Sequence, residues 1–230
     1  MQLQIKERRV CYAGGMHWRG YIIITLIIVA LAGLFFASPF LQDIFFIIAE
    51  DTSAYAAGHP FLAVAFFVFL AAISAMISPF SSVPIVPIAV LIWGWEITAG
   101  LLWSGWLAGG MLSYVIGRFA GNPILRQFIK PEKLYAHEER FSCRITFPGV
   151  LLLRLALPAE VGYAFGLIKY HFGKYIFATA IAEVPVAIVS VRAADALVSL
   201  DMTRFAEWVF LFTAIIGTAY FLFHKFRNAQ

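Results

Sequence analysis

Phe147 to Leu167 reads FPGVLLLRLALPAEVGYAFGL, and the path taken by this stretch decides the fold. It is apolar enough for a membrane, yet it carries Pro148 and Pro158, has Arg154 in its middle, and has Glu160 six residues later. A charge facing hydrocarbon is expensive. A proline removes an amide donor and clashes with the preceding turn. A helix that crosses has no use for either, whereas a segment that enters and turns back accommodates both. Non-helical backbone at membrane depth is tolerated only where protein buries it or water reaches it. The stretch is therefore expected to be a re-entrant hairpin with a polar, internal tip, Pro158 breaking it and Gly166 closing its return arm.

The rest of the chain agrees with a lipid solvent. Of 230 residues, 62% are hydrophobic and 13% charged, and Phe occurs 23 times. Soluble domains carry about 25% charged residues. This composition indicates an integral membrane protein. The formal charge of +4 fits Lys/Arg-rich cytoplasmic loops. No basic run interleaved with aromatics points to nucleic acid. Cys11 and Cys143 are isolated, which argues against a disulfide framework or metal site. His17, His59, His137, His171 and His224 lack metal-ligand spacing. Cys143 has no evident base, so nucleophilic catalysis is unsupported. No enzyme, metal or cofactor is expected. The basic N-terminus MQLQIKERRV precedes an apolar run without a small-x-small cleavage site, and reads as leading into an uncleaved span.

Tyr21–Phe36 is the first expected span, followed by a loop with Asp43, Glu50 and Asp51. The uncharged run from Thr52 to Trp95 far exceeds the ~20 residues one crossing needs. Pro79, Pro84 and Pro87 break it. The arm Phe61–Ile77 nearly spans, while Pro84–Gly94 rises only ~16 Å. A re-entrant hairpin fits best, with two full spans as the alternative. Thr98–Ile116 is a span, and Arg118–Arg144 a helical surface segment. Tyr175–Val191 and Trp208–Phe223 are the last spans. The positive-inside rule puts Lys6, Arg8, Arg9, Arg19, the basic 118–144 segment, Lys169, Lys174, Lys225 and Arg227 on one side only if the quoted stretch turns back.

The expected fold is an all-α polytopic membrane bundle of four spans and two opposed re-entrant hairpins, an inverted repeat of the kind found in transporters. Its parts are a tail (1–20), a first helix with an external loop (21–60), a hairpin core (61–198) and a last helix with the C-terminus (199–230). Both termini are expected in the cytoplasm of a bacterial inner membrane.

Arg154 lies ~10 Å along its arm. Its planar fork suits a lipid phosphate; the alternative is an ion pair with Glu160 or Glu183 that only holds the hairpin. Glu183 stands two residues before Pro185, whose kink makes room for a polar pocket. Glu183 and Glu160 are candidates for charge coupling or for static partners of an arginine. Arg118 is a phosphate contact or a headgroup anchor. Arg192 and Asp195 read as an interfacial pair reaching for water. Gly105, Gly109, Ser113, Gly117 and Gly121 recur every four residues and leave a helix face bare for close packing. Trp93, Trp95, Trp103 and Trp106 read as belt and packing residues.

The succession YVIGRFAG, a basic amphipathic stretch, LLLRLALP, VGYAFGL and FATAIAEVP resembles the DedA superfamily, also called the VTT-domain or SNARE-associated Golgi protein family. The resemblance runs from Phe61 to Val191. It implies two opposed hairpins and movement of lipid: phospholipid scrambling in eukaryotic members, and recycling of polyisoprenyl-phosphate carriers in bacterial ones. On that analogy Arg154 contacts the phosphate, Pro158 shapes the hairpin, and Gly117, Arg118 and Gly121 match the span-end motif. Several bacterial members carry essential acids in the first hairpin. Phe61–Trp95 has none, and Glu160 stands near the place of the family's second arginine. The chain looks closer to the branch named after a yeast Golgi vesicle protein than to DedA itself. The expected partners are membrane lipids, an anionic phospholipid or lipid phosphate, with a homo-oligomer left open. The alternatives are an ion-coupled small-solute transporter and a non-transporting assembly scaffold.

Overall fold

The structure is a computed structural model that describes residues 30, 33–77, 82, 85–128, 147–156 and 161–228, with main chain alone at 121–128, 220 and 223–228. All regular structure among the described residues is helical. The helices are α1 (Pro39–Gly58), α2 (Pro60–Met76), α3 (Val86–Phe128), α4 (Phe147–Ala156), α5 (Val161–Leu167), α6 (Phe172–Val198) and α7 (Met202–Asn228). Among the described residues, two segments are long and apolar enough to cross a membrane: Val86–Ala120 within α3, and α6.

The segment bearing Asp43, Glu50 and Asp51, expected as a loop, is the helix α1. Ser38 caps it by accepting the Leu41 N–H at 3.4 Å, and Pro39 occupies the first turn, where a missing N–H costs nothing. The acids flank the apolar run IFFIIA, Asp43 before it and Glu50 and Asp51 after it, and do not outweigh that start. His59 separates α1 from α2, whose own first turn begins with Pro60. The expected first span, Tyr21–Phe36, lies mostly outside the described residues; 33–36 are helical.

α2 ends at Met76, and helix resumes at Val86 with Pro87 in its first turn. Pro79 and Pro84 lie outside the described residues. α3 is interrupted at Gly94, with φ 76° and ψ 166°, a conformation open to glycine and strained for L side chains. A short arm, 86–93, therefore precedes a long one, 95–128. Thr98 closes the corner by donating its hydroxyl to the Ala89 carbonyl at 3.0 Å. The helix begun as the Thr98 span continues without a break through Phe128, so the start of the polar segment is an extension of it. Residues 129–146 lie outside the description, as do Pro158 and Glu160.

α2, α5 and α6 pack on α3, and α4 packs on α6 and α7. Two apolar clusters result. One gathers Phe67, Ala71, Val86, Ala89, Val90, Leu102, Ala187, Val191 and Ala194. The other gathers Tyr114, Val150, Phe165, Tyr175 and Ala178. α6 runs antiparallel to the long arm of α3: Tyr175 stacks on Tyr114, and Arg192 lies over Trp95 at the other end.

Candidate functional site

Glycine sets how close the elements come to α3. A Cβ on Gly105 would lie 2.5 Å from the Ala71 Cβ, and one on Gly109 would lie 2.3 Å from the Ala72 carbonyl oxygen, so α2 rests on main chain. A Cβ on Gly117 would sit 2.2 Å from the Tyr163 carbonyl oxygen, and one on Gly166 2.1 Å from the Tyr114 carbonyl oxygen, so α5 does the same farther along. Gly121 falls in α3 where only main chain is described.

These contacts fix the order of levels. α2 passes Trp93 at Phe67 and reaches Gly109 at Ala72 and Ala75. The arm 86–93 then brings the chain back to Trp93. Val150 of α4 lies in the cluster that holds Tyr114 and Tyr175, and Arg154 reaches Gly110. α5 starts at that depth, with Gly162 beside Ser113 and the Gly110 carbonyl, and ends with Gly166 beside Tyr114 and Arg118. The ends of the two broken segments touch: the Tyr163 hydroxyl donates to the Met76 carbonyl at 3.2 Å.

Arg154 and Glu183 meet beside this junction. Arg154 Nη2 lies 2.5 Å from Glu183 Oε1, with side-chain exposures of 2% and 12%. Arg154 Nε donates to Thr179 Oγ1 at 3.1 Å. Its guanidinium lies 5.7 Å from the centre of the Tyr175 ring, and the Tyr175 hydroxyl donates to the Gly110 carbonyl at 3.3 Å. A Cβ on Gly110 would come 3.0 Å from Arg154 Nη2, so the absent side chain makes room for the cation. Along α6, Glu183 is equidistant from Lys174 and Arg192, ~14 Å from each. Removing one partner of such a pair strands a buried charge, at a cost of about 3–5 kcal/mol. Among the described residues Glu183 Oε2 is buried with no hydrogen-bond partner.

Pro185 lies inside α6 and leaves the Ile181 carbonyl without its helical donor. The Trp103 indole N–H donates to the neighbouring Ala180 carbonyl at 3.0 Å and ties α3 to the kink.

Arg118 is not at the Arg154 guanidinium. It is exposed and donates to the Tyr114 hydroxyl at 2.9 Å, which in turn donates to the Tyr170 carbonyl. Tyr114 stacks on Tyr175 with ring centres 5.2 Å apart. Arg118 therefore reaches the buried cation through two aromatic rings. Arg192 and Asp195 form a half-exposed pair at 3.8 Å.

Thr179 and Tyr175 were not singled out from the sequence. The signal was available: with Glu183 they recur every four residues on an otherwise apolar helix, so all three share one face. Among the described residues no three His, Cys, Asp or Glu side chains gather as a metal site would require. The VTT domain family model matches residues 78–195, more than half of the chain. No curated protein and no solved structure matches it significantly.

Proposed function

The chain belongs to the VTT-domain family, the domain of the DedA and SNARE-associated membrane proteins, and from that premise we propose that it moves a phospholipid or polyisoprenyl phosphate between leaflets. The carrying observation is the Arg154–Glu183 pair, held at 2.5 Å beside the junction of two broken segments. Each segment is read as a re-entrant hairpin. The order of contacts supports this: α2 runs in past Phe67 and arm 86–93 returns to Trp93 beside it, while α4 runs in to Gly110 and α5 returns to Tyr114 and Arg118. The charges on the tail and loops support cytoplasmic termini; the bundle is taken to lie in a bacterial inner membrane.

In this reading the hairpin tips thin the apolar barrier. Arg154 replaces water around the phosphate, and its fork offers two parallel donors. Glu183 neutralises Arg154 when no lipid is bound, so loading exchanges one anion for another at the guanidinium. Thr179 and Tyr175 hold the guanidinium in place during the exchange. The acyl chains stay in lipid.

The test is leaflet flipping of a fluorescent phospholipid and a polyisoprenyl phosphate by the purified chain in vesicles. Arg154→Ala is expected to abolish flipping while helicity and monodispersity persist. Wild-type flipping by a folded Arg154→Ala protein, with only its stability lowered, refutes the reading and favours a scaffold. The unpartnered Glu183 Oε2 favours a second reading, ion-coupled transport of a small solute. That reading requires proton-dependent solute uptake that Glu183→Gln removes.

A further inference from the structure

At the far end of α6 from Tyr114, Arg192 has surroundings unlike those of Arg154. Its guanidinium carbon lies 4.0 Å from the centre of the Trp95 ring and 5.8 Å from that of Trp208. A cation over a ring uses its face and leaves its edge N–H groups free. Asp195 Oδ2 approaches Nη1 only to 3.8 Å, beyond hydrogen-bonding distance. No hydrogen bond from the Arg192 side chain occurs among the described residues, and the side chain is 35% exposed. Arg154 is buried and donates to Thr179 and Glu183, whereas Arg192 is braced with its fork open.

The surface below Arg192 is built for hydrocarbon. Phe177, Ile181, Val184 and Ile188 are all exposed, and with Arg192 they follow three- and four-residue steps, so they form one stripe on α6. From Phe177 to Ile188 the helix rises ~16 Å, about half of a ~30 Å hydrocarbon core. An apolar stripe one leaflet deep ends in an open guanidinium between two tryptophans.

We infer that Arg192, braced by Trp95 and Trp208, binds the phosphate of a phospholipid whose acyl chains lie along Phe177, Ile181, Val184 and Ile188. The occupant is a lipid rather than free phosphate because the fork sits at the head of that stripe. Asp195 is the competing anion, held too far away to saturate the fork. This deepens the lipid-moving reading, on which the site's place as the loading position for the leaflet at the Arg192 end rests. The site is separate from Arg154: Arg192 stands nine positions along α6 from Glu183, ~14 Å, and the residues between them include Ala187 and Val191 of the first apolar cluster.

The experiment measures binding of a fluorescent phosphatidylglycerol, and of diacylglycerol with the same chains, to the purified full chain in detergent. Arg192→Gln is expected to lower phosphatidylglycerol binding about tenfold and to leave diacylglycerol binding alone. Arg192→Lys retains part of the preference, because it keeps the charge and loses the fork. Asp195→Asn tightens phosphatidylglycerol binding severalfold, a gain that misfolding cannot imitate. Wild-type selectivity in Arg192→Gln, or no tightening in Asp195→Asn, overturns the proposal. So does complete displacement of the lipid by excess inorganic phosphate, which would mark a free-anion site. Arg154→Ala separates the two ideas: if it flips lipid normally the transport reading falls, whereas the Arg192 site falls only on these binding measurements.

Discussion

Gly117→Ala tests whether the broken segments really lie on bare main chain. The new Cβ would stand 2.2 Å from the Tyr163 carbonyl oxygen and 2.8 Å from the Tyr163 Cα, and ordinary contact begins at 3.4 Å. The obstacle is backbone, which has no rotamer to change, so α5 must withdraw by about 1 Å. Overpacking of this kind costs about 1–3 kcal/mol. Withdrawal also stretches the Tyr163 bond to Met76, now 3.2 Å, beyond a useful length, which adds about 1 kcal/mol. Alanine's better helix propensity returns up to about 1 kcal/mol. The net expectation is a loss of about 1–3 kcal/mol. Gly100→Ala is the control, because its Cβ meets nothing within 4 Å; it keeps the propensity gain alone and is stabilised by up to about 1 kcal/mol. The assay is unfolding in mixed micelles followed by circular dichroism. A Gly117→Ala protein as stable as Gly100→Ala would refute the packing argument.

Three further outcomes follow from the geometry. Arg154→Met and Glu183→Leu are each expected to cost about 3–5 kcal/mol, and the double variant much less than their sum; additive losses in the same unfolding assay would show that the pair is not coupled. Trp103→Phe removes the donor to the Ala180 carbonyl and should cost about 1 kcal/mol, while Trp106→Phe, with no such bond among the described residues, serves as its comparison. Tyr163→Phe deletes the contact with Met76; hydrogen exchange should quicken in the last turn of α2, and unchanged protection there would mean that the two broken segments are not tied at that point.

The features most legible in the sequence were those that violate the rules for a membrane helix. Arg154 and Glu183 stand out because a charge in an apolar run must find a partner, and the structure brings these two together. The arm ending at Gly94 was readable from prolines and length, and the kink falls on that glycine. α1 was misread because its three acids suggested a loop, whereas the Ser38 cap and Pro39 start a helix and Asp43 and Glu50, about two turns apart, fall on one side of it. Arg118 was grouped with Arg154 by motif. Sequence order does not reveal that Tyr114 and Tyr175 stand between them, since that depends on how α6 rotates against α3. The bracing of Arg192 by Trp95 and Trp208 was equally hidden: it needs the Gly94 corner, and long-range contacts leave no local periodicity to read.

Gly109 and Gly110 are neighbours in sequence, yet α2 crowds the first and the Arg154 guanidinium crowds the second. Successive residues of a helix point ~100° apart, so one peptide unit is the shared floor of two independent lodgers. With no side chain on either residue to flex, a displacement on one side is passed on as a twist of the α3 main chain itself. A displacement of α2 would thereby reach the cation through main chain, without any side chain acting as courier.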